Sequence, residues 1–433
     1  MGDELFDDVD RQGDDVEALD GDARLETANR TQVELTPTDL ESLLPPGHAA
    51  RLVWRFVEGL DLSGFTATIR SREGRAGRPA IDPQILVALW LYATIEGVGS
   101  AREVDRLCYA HDAYRWLRGG VSVNYHTLST FRVAHQAALD ALLTQSITVL
   151  LDKQVVTLNR IAQDGTKIRA SAGVRSFKRG ERLRDCQQMA RQQVARTKAE
   201  ADGAAPAARA AAQQRAASER LARVEEALAQ LPLVEAVKQR TRSKAEPKVS
   251  ITDPDARVMK LMDGGFRPAY NVQFATDIDS HVIVGVAVTN AGHDHGAFAP
   301  MLTQVRARTG RDPAVALVDG GYASVPTIHA AAVRGVSLYM PIPKGPNAPG
   351  AGTPHTPDPA VVAWRARMAT PEAKTGYRAR AGCAERVNAD GRTHRTLAGL
   401  PVRGLGNVHT WVLWIALAHN VMRAMGIVPH LMT

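Results

Sequence analysis

The feature that most constrains the fold is a change of hydrophobic period near residue 155. Before it, apolar residues recur at helical spacing; after it, short β-rich runs alternate with helical ones. The first run, VVTLNRIAQD, ends on Asp164. After a long interruption at 175–250, strand-like runs resume at 270–276 and 281–288, joined by the turn-like Asp277-Ile278-Asp279-Ser280. A helix is expected over about 297–308, then a short apolar strand in AVALVDGGYAS with Asp319 at its carboxyl end. A helix (about 324–333), the strand SLYMPIP and a loop rich in Pro, Gly and Asn at 341–359 follow. Thr370-Pro371-Glu372 opens a helix carrying Tyr377 and Glu385, and a final apolar helix covers about 408–425 through Trp411, Leu413, Trp414, Leu417 and Ala418.

Three strands in a meander, with later strands added through helices, give an α/β chain with a mixed sheet. That element order is the order of an RNase H-like core, expected over 155–425. The interruption at 175–250 is rich in Ala, Arg, Gln and Glu, which favour helix. Asp202-Gly203 and Pro206 divide it into two arms, so it reads as a helical hairpin inserted into the core. In its second arm Leu221, Val224, Leu228 and Leu231 form a narrow apolar stripe, and Pro232 is expected to kink or restart the helix. Residues 47–150 read as a compact helical domain. Asp82-Pro83 is a helix start ahead of Leu86, Leu89, Trp90 and Ala93. Ser100 and Glu103 form a capping box ahead of Val104, Leu107 and Cys108, and a third helix begins near Thr127 and runs on through the 139–143 region.

Two aspartates that end neighbouring strands of an open sheet lie side by side, where such sheets place their sites. Carboxylates that close repel unless a cation sits between them, and hard divalent ions such as Mg²⁺ take such oxygen ligands. On an ideal helix Tyr377, Glu385, Asn388 and Arg392 share a face about 80° wide, whereas Arg380 lies about 140° from Glu385. Three carboxylates can hold two metals for in-line phosphoryl transfer. Taken singly, each Asp-Gly is an ordinary turn and Glu385 a surface residue.

The charge pattern is compatible with a polyanionic partner. Residues 1–45 carry 14 acidic and 3 basic side chains and read as a disordered tail ending near 46, whereas the chain's formal net charge is +7. Residues 175–250 hold 17 basic and 9 acidic side chains. The three cysteines, Cys108, Cys186 and Cys383, are far apart and odd in number, which points to a reducing, cytoplasmic compartment without a disulfide framework. No run of 18 apolar residues occurs, so no membrane span is expected.

At these residues the chain resembles the DDE transposases of bacterial insertion sequences, in the IS-four/IS-five superfamily, and looks closest to the branch called insertion sequence eleven-eighty-two. The resemblance covers about 47–425. It rests on GRPAIDPQILVALWLYATIEGVGSARE (77–103), AYRWLRGGVSVNYHTLSTFR (113–132), QDGTKIRASAG (163–173), DPDARVMK (253–260), GGFRPAYNVQFATD (264–277), VTNAGHDHG (288–296), DGGYAS (319–324) and YRARAGCAERVNADGR (377–392). It implies an RNase H-like catalytic core, with Asp164, Asp319 and Glu385 as catalytic acids and ligands of two Mg²⁺ ions, replaceable by Mn²⁺. The superfamily signature runs tyrosine, two residues, arginine, three residues, glutamate, six residues, lysine. Tyr377 and Arg380 fit its start, but four residues separate Arg380 from Glu385, and Arg392 stands where the lysine is expected. Lys167, Arg169, Tyr377, Arg380, Asn388 and Arg392 are candidate DNA contacts.

The expected function is therefore cleavage at transposon ends and joining of a 3′-hydroxyl to target DNA. Double-stranded DNA is the partner, and a homodimer or higher assembly is expected on DNA. A DNA-binding regulator that lost cutting, and a metal nuclease without strand transfer, are the alternatives. His293 and His295 read as a structural or DNA-facing turn, because two histidines fall short of a zinc shell. Tyr322 is expected to pack beside the site, and Trp116 to pack in the core.

Overall fold

The computed structural model describes residues 39–71, 74, 78–201, 207–345, 349 and 358–427, with isolated positions between 28 and 37. The expected acidic tail falls largely outside the described residues, as do the Asp202-Gly203 to Pro206 break and most of the 341–359 loop. From Leu40 onward the chain forms one compact unit.

Among the described residues seven α-helices come first: α1 (Ala49–Glu58), α2 (Ser63–Thr66), α3 (Pro83–Ile95), α4 (Ala101–Ala110), α5 (Asp112–Arg118), α6 (Tyr125–Ala134) and α7 (Gln136–Asp152). Their starts follow local chemistry. The Asp82 carboxylate accepts from the Gln84 amide at 2.8 Å with Pro83 at the first helical position, and Ser100 Oγ accepts from the Glu103 amide at 3.4 Å. Helix α3 is buried from Ile85 to Thr94 on every side, so it is a central helix rather than one with a single apolar stripe. The single helix expected near Thr127 is two, α6 and α7, which meet at His135. Asn124 caps the first of them through the Thr127 amide.

The sheet begins with β1 (Arg160–Arg169). The insertion follows as β2 (Phe177–Lys178), α8 (Gly180–Ala201), α9 (Ala207–Arg240) and β3 (Val249–Ser250). β2 and β3 pair antiparallel and clasp the base of the helical pair. Leu183, Ala227, Val234 and Val249 pack together between the helices and the clasp. Helix α9 runs through Pro232 without the expected restart, and its apolar stripe continues past the proline to Val234.

The rest of the core is β4 (Arg257–Lys260), β5 (Phe266–Asp277), β6 (Ile283–Thr289), α10 (Phe298–Thr309), β7 (Val315–Leu317), α11 (Val325–Val333), β8 (Ser337–Tyr339), α12 (Pro359–Ala369), α13 (Pro371–His394) and α14 (Leu405–Ile427). β5 pairs antiparallel with β1 on one side and with β4 and β6 on the other, while β7 and β8 run parallel to β1. The strand path β4-β5-β1-β7-β8, with β6 on β5, thus has the meander-then-crossover order expected of an RNase H-like core. Helix α14 is apolar along most of its length and packs on α3, α6, α7 and β6, so helices and sheet share one hydrophobic core. Trp90 and Trp411 meet edge to face at 6.0 Å, and Trp414 donates to the Arg132 carbonyl at 3.1 Å.

Candidate active site

The centre of the sheet sets the site. β1 lies between β5 and β7, and the paired stretch of β7 ends at Leu317 opposite Ala162. Two residues further along each strand stand Asp164 and Asp319, so parallel pairing brings them together. Asp319 also caps the short 3₁₀ turn Gly320–Tyr322, its Oδ1 accepting from the Gly321 amide at 2.8 Å.

One nitrogen joins the two acids. Arg380 Nη2, from α13, donates to Asp164 Oδ1 at 2.7 Å and lies 3.6 Å from Asp319 Oδ2. Asn388 Nδ2 donates to Asp164 Oδ2 at 2.9 Å. Arg392 donates to Thr166, two residues along β1. Arg380, Asn388 and Arg392 therefore all point at β1, and this corrects the reading that set Arg380 apart. The face that meets the acids extends from Arg380 to Asn388, about 80° apart around an ideal helix. Glu385 lies about 60° beyond Asn388, is exposed, and makes no hydrogen bond or ion pair with either aspartate among the described residues.

A third carboxylate does approach, and the sequence did not single it out. Asp294 sits in the turn between β6 and α10, flanked by the exposed His293 and His295. Its Oδ1 accepts from Gln273 Nε2 at 2.6 Å and Asn271 Nδ2 at 2.8 Å. A methyl group built on Gly165 would stand 2.2 Å from that oxygen, and one on Gly321 would stand 3.4 Å from Asp294 Oδ2. The carboxylate thus rests against the glycines that follow Asp164 and Asp319. The available signal was in β5: Asn271 and Gln273 are polar at alternate positions of a buried strand, which demands polar partners on one face.

Electrostatics reflect the crowding. Burial pushes the Asp164 carboxyl up to about 6; Arg380 opposes that, while Asp319 and Asp294 add to it. Burial, then the charges of Asp294, Asp164 and Asp319, also push the Tyr322 phenol up. Tyr322 is fully buried and donates to Gln273 Oε1, so it packs beside the acids as a neutral donor. Burial raises the Tyr377 phenol and lowers the Arg392 guanidinium. Lys167 is half-buried on β1 and Arg169 is exposed at its end. Trp116 is only half-buried, stacked under Arg51 at 4.9 Å and donating to Glu41 at 3.0 Å, a packing role away from the acids.

Among the described residues no three His, Cys, Asp or Glu side chains already form a metal-binding shell. Asp164 and Asp319 are instead grouped around the Arg380 nitrogen. Their chemistry nonetheless suits a hard cation. The donors are carboxylate oxygens, and the Oδ1 of Asn388, a residue 8% exposed, has no hydrogen-bond partner among the described residues.

Two family models match parts of the chain. Residues 247–421 match the family model described as a Transposase DDE domain, and residues 38–134 match the one described as a Transposase domain (DUF772). No curated protein and no solved structure is significantly similar to the chain. Asp164 lies outside both matched ranges, yet its strand is central in the sheet that the second range builds. No helix among the described residues is long and apolar enough to cross a membrane.

Proposed function

We propose that this chain, a DDE transposase with a DUF772 transposase domain ahead of its DDE domain, is the enzyme of a bacterial insertion sequence on the eleven-eighty-two branch of the IS-four/IS-five superfamily. It binds the inverted repeats at two transposon ends, cuts there, and joins the freed 3′-hydroxyl to target DNA. Helices of 47–150 bind the ends, 155–425 form the catalytic domain, and the basic arms of 175–250 lie along DNA. The working form is a homodimer or higher assembly in the bacterial cytoplasm, at the nucleoid.

The observation that carries this reading is the pairing of Asp164 and Asp319 across β1 and β7, with one guanidinium nitrogen between them. A DDE centre works with divalent metal ions; here Asp164 and Asp319, with Glu385 reaching in from its exposed place on α13, would hold two Mg²⁺, or Mn²⁺, which would supply Lewis-acid activation and charge neutralisation for in-line phosphoryl transfer. The chain's own residues prepare that chemistry. Asn388 holds the Asp164 carboxylate in one orientation. Arg380 offsets the repulsion between the aspartates and, with Lys167, Arg169, Tyr377 and Arg392, faces the DNA backbone. Asp294 fixes the backbone beside both acids.

The test combines purified protein, a pre-cut transposon end and a supercoiled plasmid in Mg²⁺. Joined products are expected. Cleavage without joining would leave a nuclease, and binding without either would leave a regulator. Undiminished cleavage by Asp164→Ala would remove the catalytic assignment.

A further inference from the structure

Two clefts beyond the acids share a wall. One, of about 450 Å³, is lined by Arg169, Arg403 and the small residues of Ala170–Gly173. The other, of about 220 Å³, is lined by Arg220, Arg223, Cys186 and Arg403. Thr252 and Arg403 line both, so the clefts adjoin. Four arginines face this space and no carboxylate lines it. The small side chains of one wall let a sugar-phosphate chain come close to the protein backbone.

The clefts continue a row of guanidinium groups that starts at the acids. Arg380 meets Asp164, Arg392 meets Thr166, and Arg403 Nε donates to the Ser171 carbonyl at 2.9 Å. Extended chain rises about 3.3 Å per residue, so positions 164 to 171 span roughly 20 Å. At about 3.4 Å per base pair that is about six base pairs of duplex. Arg220 and Arg223 close the far end from the middle of α9.

We infer that one strand of the transposon end runs along the carboxyl half of β1, placing the phosphates about six nucleotides from the cut in the Arg169–Arg403–Arg220–Arg223 cleft. The insertion thus acts as a backbone clamp at a set distance from the reacting phosphate. This inference rests on the DNA-joining reading above.

The chain carries its own reporter. Cys186 is half-buried and lines the cleft, while burial pushes the thiols of Cys108 and Cys383 up to about 12. Thiolates react, not thiols, so a maleimide in EDTA modifies Cys186 first. With saturating end DNA, monitored in parallel by gel shift, Cys186 labelling is expected to slow at least tenfold. The double variant R220A/R223A is expected to lose about 1.8 from the slope of log affinity against log salt, about 0.9 for each phosphate contact, with its hydroxyl-radical footprint shortened about six nucleotides from the cut. R220K/R223K restores both. Bound DNA that leaves Cys186 unprotected and the slope unchanged would overturn the clamp and leave the transposase reading standing. Failure of the wild-type protein to bind any end DNA would overturn both.

Discussion

Gly165→Ala probes the most crowded point of the site. The added methyl carbon would stand 2.2 Å from both Asp294 Oδ1 and Gln273 Nε2, and 3.0 Å from Asn271 Oδ1. Gln273 and Asn271 are buried and cannot swing into solvent. The network must retreat by roughly 1 Å, which breaks the 2.6 Å bond from Gln273 to Asp294 and disturbs the donation of Tyr322 to Gln273. A lost bond to a buried charge costs about 1.5–3 kcal/mol. Gly165 is absent from the positive-φ positions, so alanine returns about 0.4–1 kcal/mol through the unfolded chain. The net loss is about 2 kcal/mol, read as a lower midpoint in urea unfolding. Cleavage should fall more steeply, on the order of 100-fold, because Asp164 is the adjacent residue and a 1 Å displacement costs about that much. Gly47→Ala is the control: nothing lies within 4 Å of its added carbon, and it should be neutral. A Gly165→Ala protein as stable and as active as the wild type would mean that Asp294 does not rest against Gly165, and the three-carboxylate centre would fall with it.

Other expectations follow from the same geometry. Asp164 has its folded pKa raised from 3.8 to about 6, so its contribution to stability is full below about pH 4 and is lost as pH rises through 6. In metal-free buffer Asp164→Asn should therefore gain on the wild type between pH 4 and 7, by on the order of 3 kcal/mol, while losing cleavage. The partnerless Asn388 Oδ1 is free to turn and accept from the new amide; parallel stability-pH curves for the two proteins would refute this account. Glu385→Gln should abolish cleavage with a stability change within about 0.5 kcal/mol, since Glu385 is exposed. Retained activity would remove Glu385 from the metal set. Asp294→Asn keeps an oxygen for the donors Asn271 and Gln273 but removes the negative charge beside Asp164 and Asp319, and should lower cleavage at least tenfold; wild-type rates would show that its charge is dispensable.

The sequence made the strand order legible because each strand carries its own signal: a short apolar run, a turn, an aspartate at the carboxyl end. Asp164 and Asp319 were visible for that reason, since parallel pairing of β1 and β7 needs only the run lengths to set them side by side. The rotation of α13 was not legible. Ideal angles relate residues of one helix to each other, but the direction of the helix toward the sheet is fixed by packing. Ala384 and Cys383 are buried, and this turns Arg380 inward and Glu385 outward. Asp294 was hidden for a different reason. In GHDHG the histidines drew the metal question, whereas the acid is fixed by Asn271 and Gln273, more than 20 residues away in sequence. The continuity of α9 through Pro232 was a matter of competition, in which stripe packing outweighed one missing backbone donor.

Packing of α13 on its neighbours ties the N-terminal helices to the candidate site. Asp390, two residues beyond Asn388 on α13, accepts from Arg395 Nε at 3.2 Å and pairs with His419 Nδ1 of α14 at 2.9 Å. Arg395 also donates to the carbonyl of Ile95 at the end of α3, at 2.8 Å. His419 in turn meets the His281 carbonyl, just ahead of β6, at 2.9 Å. The helix that aims Arg380 and Asn388 at Asp164 is therefore tied at one point to the sheet, to α14 and to the α1–α7 bundle. The Trp90–Trp411 contact and the burial of α14 make that tie stiff, because a close-packed interior transmits displacement instead of absorbing it. DNA held by the N-terminal helices would thus bear on the same core that sets the angle of α13. In this molecule the region matching DUF772 is part of the scaffold that positions the acids, and a substitution such as Trp90→Ala would alter the site some distance from it.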